Sequence, residues 1–496
     1  MAEIADNITL LNHTHHASDF VGGTISDALL SSIAKTVGGG SCLVVASNTA
    51  TQLIKNRSDY ICDGTADQVE INAAIQALPS TGGKIICVGE FYLTGPILID
   101  RNSVCFEGVG LSNSVTATQQ AVGTRFNAVT GLTGQVIKVQ EAANNKPCYG
   151  TVLRDFTIDG GFIDTATDGI LFRANRSRIE NVHVQRVTGA GIHVRGYTSA
   201  ERGGSGAWDT YDTSIVGCEV GYCLGTGLEA TATSGTGIWF DTDAPDCHVM
   251  NCVLFNNYDG IRIGASSEQI TANHVYDSVR YNILFDNAGS RTKIVGNKIE
   301  GAGSHGLFFD NTTAGTSGVI IVGNGFKNNG DAATNTADHI NITGSSTNGH
   351  TSITIVGNTF TKDSATSNLP RNAINMSTAS QGTLIDGNSF GPDSHFGSTR
   401  ISGSGSGSNP TVLGINSGYK TRAGGSVTVS DGSLISHTLG DSFAGKTPTQ
   451  YTAMSTTAGV IITVSSVNTT TMTVNIRLHD GTTPASTTCI WTAAVT

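Results

Sequence analysis

An apolar residue followed three places later by a ladder residue, usually Asn, and five places later by a second apolar residue recurs through the middle of this chain. It occurs as Ile270-Asn273-Val275, Ile294-Asn297-Ile299, Ile321-Asn324-Phe326, Ile355-Asn358-Phe360 and Ile385-Asn388-Phe390. Upstream the same frame takes Leu153-Phe156-Ile158, Ile179-Val182-Val184, Ile215-Cys218-Val220 and Val249-Cys252-Leu254. Successive ladder positions lie 26, 36, 34, 21, 24, 27, 34 and 30 residues apart, one coil of about two dozen residues with insertions in some turns. A period in this range indicates a solenoid. Alternating Val, Ile and Phe punctuated by Gly and Asn select strands over helices. In stacked parallel strands an inward Asn can hydrogen-bond to its copy on the next rung. The pattern predicts an all-β chain built as a single-stranded right-handed parallel β-helix.

Composition agrees. Gly numbers 62 and Pro only 9, suiting many positive-φ turns and few interrupted ladders. Charged residues are only 14%, and the formal net charge of −11 argues against nucleic acid or an anionic membrane as partner. No apolar run is long enough to cross a membrane. Met1-Ala-Glu-Ile-Ala-Asp has neither the basic start nor the apolar stretch of a secretory signal. The pairs Cys218/Cys223 and Cys247/Cys252 have a metal-like spacing, but the frame puts Cys218 and Cys252 on adjacent inward rungs. There they act as small buried hydrophobes, and no metal site is assigned. Buried thiols without a signal fit folding in a reducing cytoplasm.

Residues 1–50 form a separate segment. Ile25, Leu29 and Ile33 fall at helical spacing, which predicts a short amphipathic helix that needs a partner and hence an oligomer-forming or attachment role. His13, His15 and His16 could share a metal across a symmetry axis, although a solvated polar turn is the plainer reading. Residues 51–400 form the β-helix. Near 65–78 a helix with Ile71, Ile75 and Leu78 on one face is placed to cap the first open rung, entered through a capping box of Thr65 and Gln68. A Gly/Ser-rich linker follows at 401–417, then short alternating strands at 418–496 that suggest a small β-sandwich.

The segment Asp63-Gly64-Thr65-x-Asp67, with Gly82-Gly83-Lys84-Ile85 and Gly89-x-Phe91-x-Leu93, resembles the opening of pectate-lyase-superfamily β-helices, an opening shared by many bacteriophage tailspikes. The resemblance extends over roughly residues 58–395. It implies a homotrimer carried on the phage tail or baseplate through its N-terminus, so a virion location. The C-terminal domain would assist trimerisation or bind glycans. Lyases, hydrolases, epimerases and non-enzymatic adhesins share this fold, so the resemblance alone does not choose a reaction.

A second motif follows each ladder residue, as in Gly191-Ile192-His193-Val194-Arg195 and Gly260-Ile261-Arg262-Ile263-Gly264. Gly237-Ile238-Trp239-Phe240-Asp241 joins it if the preceding turn carries ten extra residues. Alternation then points His193, Trp239, Arg262, Leu284 and Phe308 outward in one row. Arg173, Arg195, Asp241, Gly264, Asp286 and Asp310 form the next. Asp241, Asp286 and Asp310 are candidate acid and base of a glycosidase, at separations of one or two rungs. In a register without the insertion, Glu229 competes with them. Trp239 and Phe308 could stack on sugars, His193, Arg195 and Arg262 could hold acidic groups, and Trp208 and Tyr211 could wall a groove. Asp at a strand end is also ordinary turn chemistry.

Two classes of function remain. The first is a depolymerase cutting internal glycosidic bonds of a bacterial polysaccharide, by hydrolysis and without cofactor. Its variant is a uronate lyase, with Ca²⁺ on the three aspartates and Arg195, Arg262 or His193 as base. The second is a fibre that binds glycans without cleaving them.

Overall fold

The computed structural model describes residues 41–402 apart from 113–122, 142–144, 163–166, 205, 226–231, 287–288, 311–314, 343–348, 364–367 and 377–379, with strands on either side of that range. Each coil contributes parallel strands to two sheets. In one coil, His248–Met250 and Val253–Phe255 join a 23-stranded sheet with two limbs, and Asp259–Ile263 joins an 11-stranded sheet. The latter runs from Ile97–Ile99 to Thr399–Ser402 and carries the outward rows described above; it is called the site sheet below.

The corner between the two limbs explains the sequence frame. Asn273, Asn297, Asn324, Asn358 and Asn388 are buried, and each side-chain amide donates to the next carboxamide oxygen at 2.9–3.0 Å. Each also donates to a backbone carbonyl, as Asn324 does to Ile294 at 2.8 Å. The preceding residue turns the chain in the left-handed region, with φ of +66° at Gly296 and Gly323, +67° at Gly357 and +62° at Gly387. Glycine adopts this without a Cβ penalty, hence the recurring Gly-Asn pair. Cys218 and Cys252 do hold ladder positions, and the Cys252 amide donates to Asn273 Oδ1 at 2.9 Å. The ladder runs one rung further than the frame showed. Asn416, in the segment read as a linker, receives Asn388 while Val412–Leu413 pairs with Leu384 and Ile385. Gly418 stands where the frame requires an apolar residue, which hid this rung.

Inside, the inward side chains of successive strands join a continuous core. Phe91, Phe106, Phe126 and Phe156 cluster near its start, and Phe285 stacks on Phe309 at 4.3 Å. The helix Gln68–Ala77 covers the first rung with Ile71, Ala74 and Ile75. It also satisfies exposed strand amides. Asp67 accepts from Tyr92 N at 2.8 Å, Gln68 from Thr94 N at 3.1 Å and Asn72 from Leu98 N at 2.8 Å. These bonds close the edge that would otherwise template pairing with another chain. The Thr65/Gln68 capping box does not form: the helix starts after Asp67, and the Gln68 side chain is drawn instead to Thr94.

At the N-terminus, His13–His16 is a strand antiparallel to Asn7–Leu10 rather than a polar turn. Ile25 lies on the short strand Thr24–Ile25 paired with Phe20–Val21, where local antiparallel pairing replaces the expected helix; Leu29 and Ile33 lie outside the described residues. At the other end, Arg422–Val429, Thr487–Ala494 and Gln450–Ser455 form one three-stranded antiparallel sheet. Ser433–Ser436, Thr471–Leu478 and Val460–Val467 form another.

One buried carboxyl makes stability depend on pH. Glu268 is fully buried; its Oε2 accepts from Thr292 Oγ1 at 2.9 Å while Oε1 has no partner. Burial pushes its pKa up to about 7. A raised folded-state pKa gives stability that is complete below the unfolded value and lost as pH rises through about 7. Glu268→Gln is therefore expected to leave stability unchanged near pH 4. Above pH 7 it should raise it by up to about 3 kcal/mol, measured as urea midpoints across pH.

Candidate active site

Strand register aligns Leu171, His193, Trp239, Arg262, Leu284 and Phe308 in one outward row, continued by Asn341 and Asn375. Thr236–Phe240 fills the rung between Ala190–Val194 and Asp259–Ile263, so the register with the insertion holds. Glu229 is not on that rung and lies outside the described residues. The row is not evenly open: Leu171, His193 and Leu284 are buried although they point away from the core.

His193 sits between two carboxylates. Its Nδ1 lies 3.4 Å from Asp168 Oδ2, and its Nε2 lies 3.5 Å from Asp241 Oδ2. The second contact is not aligned as a hydrogen bond and is an ion pair. Burial disfavours a charged imidazole here, but the two aspartates outweigh it and hold the His193 pKa above its ordinary value. In return, although burial raises the Asp241 carboxyl, contact with His193 and the Thr242 amide (2.8 Å) keeps it below the ordinary range. Asp241 thus serves its own turn, as any strand-end Asp can, and also faces the site.

Asp243, two residues further on, behaves in the opposite way. Burial and the nearby Asp241 charge raise its pKa, despite the hydrogen bond it accepts from Gly196 N at 2.8 Å. Two neighbouring carboxyls with pKa values pushed apart are the arrangement acid–base chemistry needs. Neither Asp243 nor Asp168 was picked out from sequence. The signals were there, in Asp241-Thr242-Asp243 after the strand and in Asp168 before the motif copy at Gly169.

Arg195 reaches Glu201 Oε2 at 3.0 Å and Asp241 Oδ2 at 4.0 Å. Glu201 also holds Arg173 at 2.6 Å, and Arg173 lies over the Tyr197 ring at 4.1 Å. Tyr197 and Trp208 exchange backbone hydrogen bonds of 2.7 and 2.8 Å, closing the 197–208 loop beside Arg195. The Trp208 ring is engaged by Arg202 at 4.6 Å and Lys146 at 5.0 Å. Tyr211 is not part of this group; it sits at the adjoining corner, its hydroxyl 3.4 Å from that of Tyr149.

Trp239 does not offer a free face. His193 stacks on one side at 4.1 Å, and Arg262 lies over the other at 4.4 Å. Row neighbours one rung apart are at stacking distance, so the row satisfies itself and a sugar could meet only the indole edge. Phe308 likewise stacks on Tyr281 at 4.6 Å. Arg262 binds Asp286 Oδ2 through Nε at 2.9 Å and NH2 at 2.5 Å. Asp310, on the rung after Asp286, bonds through its amide to Phe285 O at 2.8 Å. Beyond it, Asp338 is fully buried and binds Arg371, Asn341 and Asn372, with His305 3.8 Å away.

This is a right-handed parallel β-helix protein with a charged outward face on one sheet. Residues 203–390 match the family model for a right handed beta helix region. Over 205 residues, 37% of this chain, it is 30% identical to "Depolymerase 1, capsule KN3-specific" of Klebsiella phage KN3-1. The match spans 23% of that relative, so the chain spans about a quarter of its length. Among solved structures, the Dettilon tailspike protein superimposes with a TM-score of 0.53 at 16% identity, covering 91% of this chain and 94% of that one. The tailspike gp49 of Pseudomonas phage LKA1 gives 0.51 at 12% identity over 84% and 67%. The A-module of mannuronan C-5 epimerase AlgE6 from Azotobacter vinelandii gives 0.50 at 18% identity over 72% and 96%. The structural likenesses establish the parallel β-helix fold and leave the reaction open.

Proposed function

We propose that this chain is a phage tailspike depolymerase that hydrolyses internal glycosidic bonds of a bacterial surface polysaccharide. The observation that carries the reading is the pair Asp241 and Asp243 just beyond one site-sheet strand, the first carboxyl beside His193 and pushed below the ordinary range, the second pushed above it by burial and by the Asp241 charge. Asp243 would protonate the leaving oxygen, and Asp241 would act as base or nucleophile. His193, 3.5 Å from Asp241, would orient it, and Arg262 with Asp286 would position polar groups of the glycan. The local identity to a capsule-specific depolymerase supports the substrate class.

The lyase variant is less well served. Asp241 is neutralised by His193 and Asp286 by Arg262, so the protein's own cations occupy the carboxylates that Ca²⁺ would need. His193 is buried, and although burial lowers its pKa, Asp168 and Asp241 raise it above the ordinary value, an arrangement that holds the imidazole against carboxylates rather than freeing it as a base. No cofactor is proposed. A homotrimer on the phage tail, attached by the N-terminal segment, completes the reading; sedimentation equilibrium should return three times the mass of the 51.3 kDa chain.

The test is incubation with a panel of capsular polysaccharides, with and without EDTA, following reducing ends and the ultraviolet absorbance of unsaturated uronate. New reducing ends without absorbance, unchanged by EDTA, are expected. Absorbance that EDTA abolishes would replace hydrolysis by a metal-assisted lyase, and tight binding of an uncleaved glycan would replace catalysis by adhesion.

A further inference from the structure

Around the corner from Arg173, where the site sheet hands over to the two-limbed sheet, lies an open cavity of about 310 Å³. Gly150, Val152, Ser177 and Ser214 line it together with Arg176, Arg178 and Asp212. We infer that this corner is a second carbohydrate subsite, one that takes the carboxylate of an acidic sugar. The ligand class rests on the polysaccharide reading above; the site itself rests on different residues.

Two largely exposed guanidinium groups line this cavity, each with a single carboxylate near it. Arg176 is 71% exposed and only 3.8 Å from Asp212, itself 55% exposed. Arg178 is 57% exposed and touches Glu180 at 3.3 Å. A planar guanidinium pairs bidentately with a carboxylate, so two of them beside a cavity favour an anionic ligand. The volume lies at the small end of small-molecule sites, ~300–1,000 Å³. Tyr149, 40% exposed, and Tyr211 stand at the same corner with hydroxyls 3.4 Å apart, supplying ring edges and hydroxyls for a pyranose.

This corner turns in the left-handed region on successive rungs, with φ of +65° at Gly150, +50° at Arg176 and +54° at Asp212. Glycine meets that requirement at 150, and the charged Arg176 and Asp212 hold it on the next two rungs.

The full chain, labelled with 3-fluorotyrosine, is titrated with sodium glucuronate, glucose and inorganic sulfate. Fluorine resonances of Tyr149 and Tyr211 are identified by Tyr149→Phe and Tyr211→Phe. Glucuronate is expected to shift both signals saturably, and Arg176→Ala combined with Arg178→Ala to weaken the apparent Kd at least tenfold. Both arginines are exposed, so the double variant should fold, which circular dichroism checks. No shift, an equal shift with glucose, or an unchanged Kd in the double variant overturns the subsite. An equal response to sulfate reduces it to a general anion site and overturns the sugar assignment. Cleavage plays no part in this readout, so loss of the depolymerase reading would register in the reducing-end assay and not here.

Discussion

Asp241→Asn is expected to lower kcat for polysaccharide cleavage by about 10³-fold with little change in KM, within the ~10²–10⁴-fold typical of a lost acid or base. The carboxamide keeps an acceptor for the Thr242 amide, so the turn should survive. What disappears is the charge that His193 and Arg195 face. Two titrations follow from the same contacts. The His193 pKa should fall toward its ordinary value, because one of its two neutralising aspartates is gone. Asp243 should titrate lower than in the wild type, because the Asp241 charge is among the causes of its rise. Reducing-end kinetics and carbon-detected NMR of the carboxyl and imidazole groups provide the measurements. Activity within tenfold of wild type would remove Asp241 from the reaction. A large kcat loss with His193 and Asp243 unmoved would mean that the electrostatic account of the pair is wrong.

Asn324→Ala should be the most damaging single change to the fold away from the apolar core. Asn324 Oδ1 accepts from the Asn297 amide at 2.8 Å and from its side chain at 2.9 Å. Its Nδ2 donates to Ile294 O at 2.8 Å and to Asn358 Oδ1 at 3.0 Å. Truncation strands the Asn297 amide, one Asn297 side-chain proton and Ile294 O, while Asn358 Oδ1 keeps the Asn324 backbone amide at 2.9 Å; at about 1–3 kcal/mol each where no water enters, the loss is roughly 3–9 kcal/mol. Because each ladder amide also orients its neighbours, the rungs on both sides should loosen. The expected result is a lower urea midpoint and faster amide exchange at Asn297 and Asn358, with exchange near the capping helix unchanged. Asn324→Cys should be milder, since Cys218 and Cys252 already occupy such positions and the Cys252 sulfur accepts the Cys218 amide at 3.4 Å. Equal damage from Ala and Cys, or a loss below 1 kcal/mol, would show that the ladder follows the coil rather than holding it.

The ladder and the outward row were readable from sequence for one reason. A coil must turn the same corners on every rung, so residues that make the corner recur at fixed offsets. A second polar column was equally readable and was missed. Five places after the ladder stand Cys223, Asn257, Ser278, Ala302 and Asn329. There Asn257 accepts from Cys223 N at 3.0 Å and Asn329 from Ala302 N at 3.2 Å. Its mixed composition disguised it. The helix cap was located correctly, but its start was not, because Gln68 answers to a strand amide some 26 residues away rather than to Thr65.

The amino-acid sequence by itself determined the solenoid, its inward and outward faces and the row in which the charged residues lie. All of these depend on alternation and on local corner geometry. Only the tertiary structure decided that Asp168, His193 and Asp241 meet, that burial and the Asp241 charge push the Asp243 carboxyl up, and that both faces of Trp239 are already occupied. Those facts depend on how many residues each insertion holds and where its loop folds back. Electrostatics and stacking between rungs act through space, and no local pattern encodes the separation of residues that far apart in the chain.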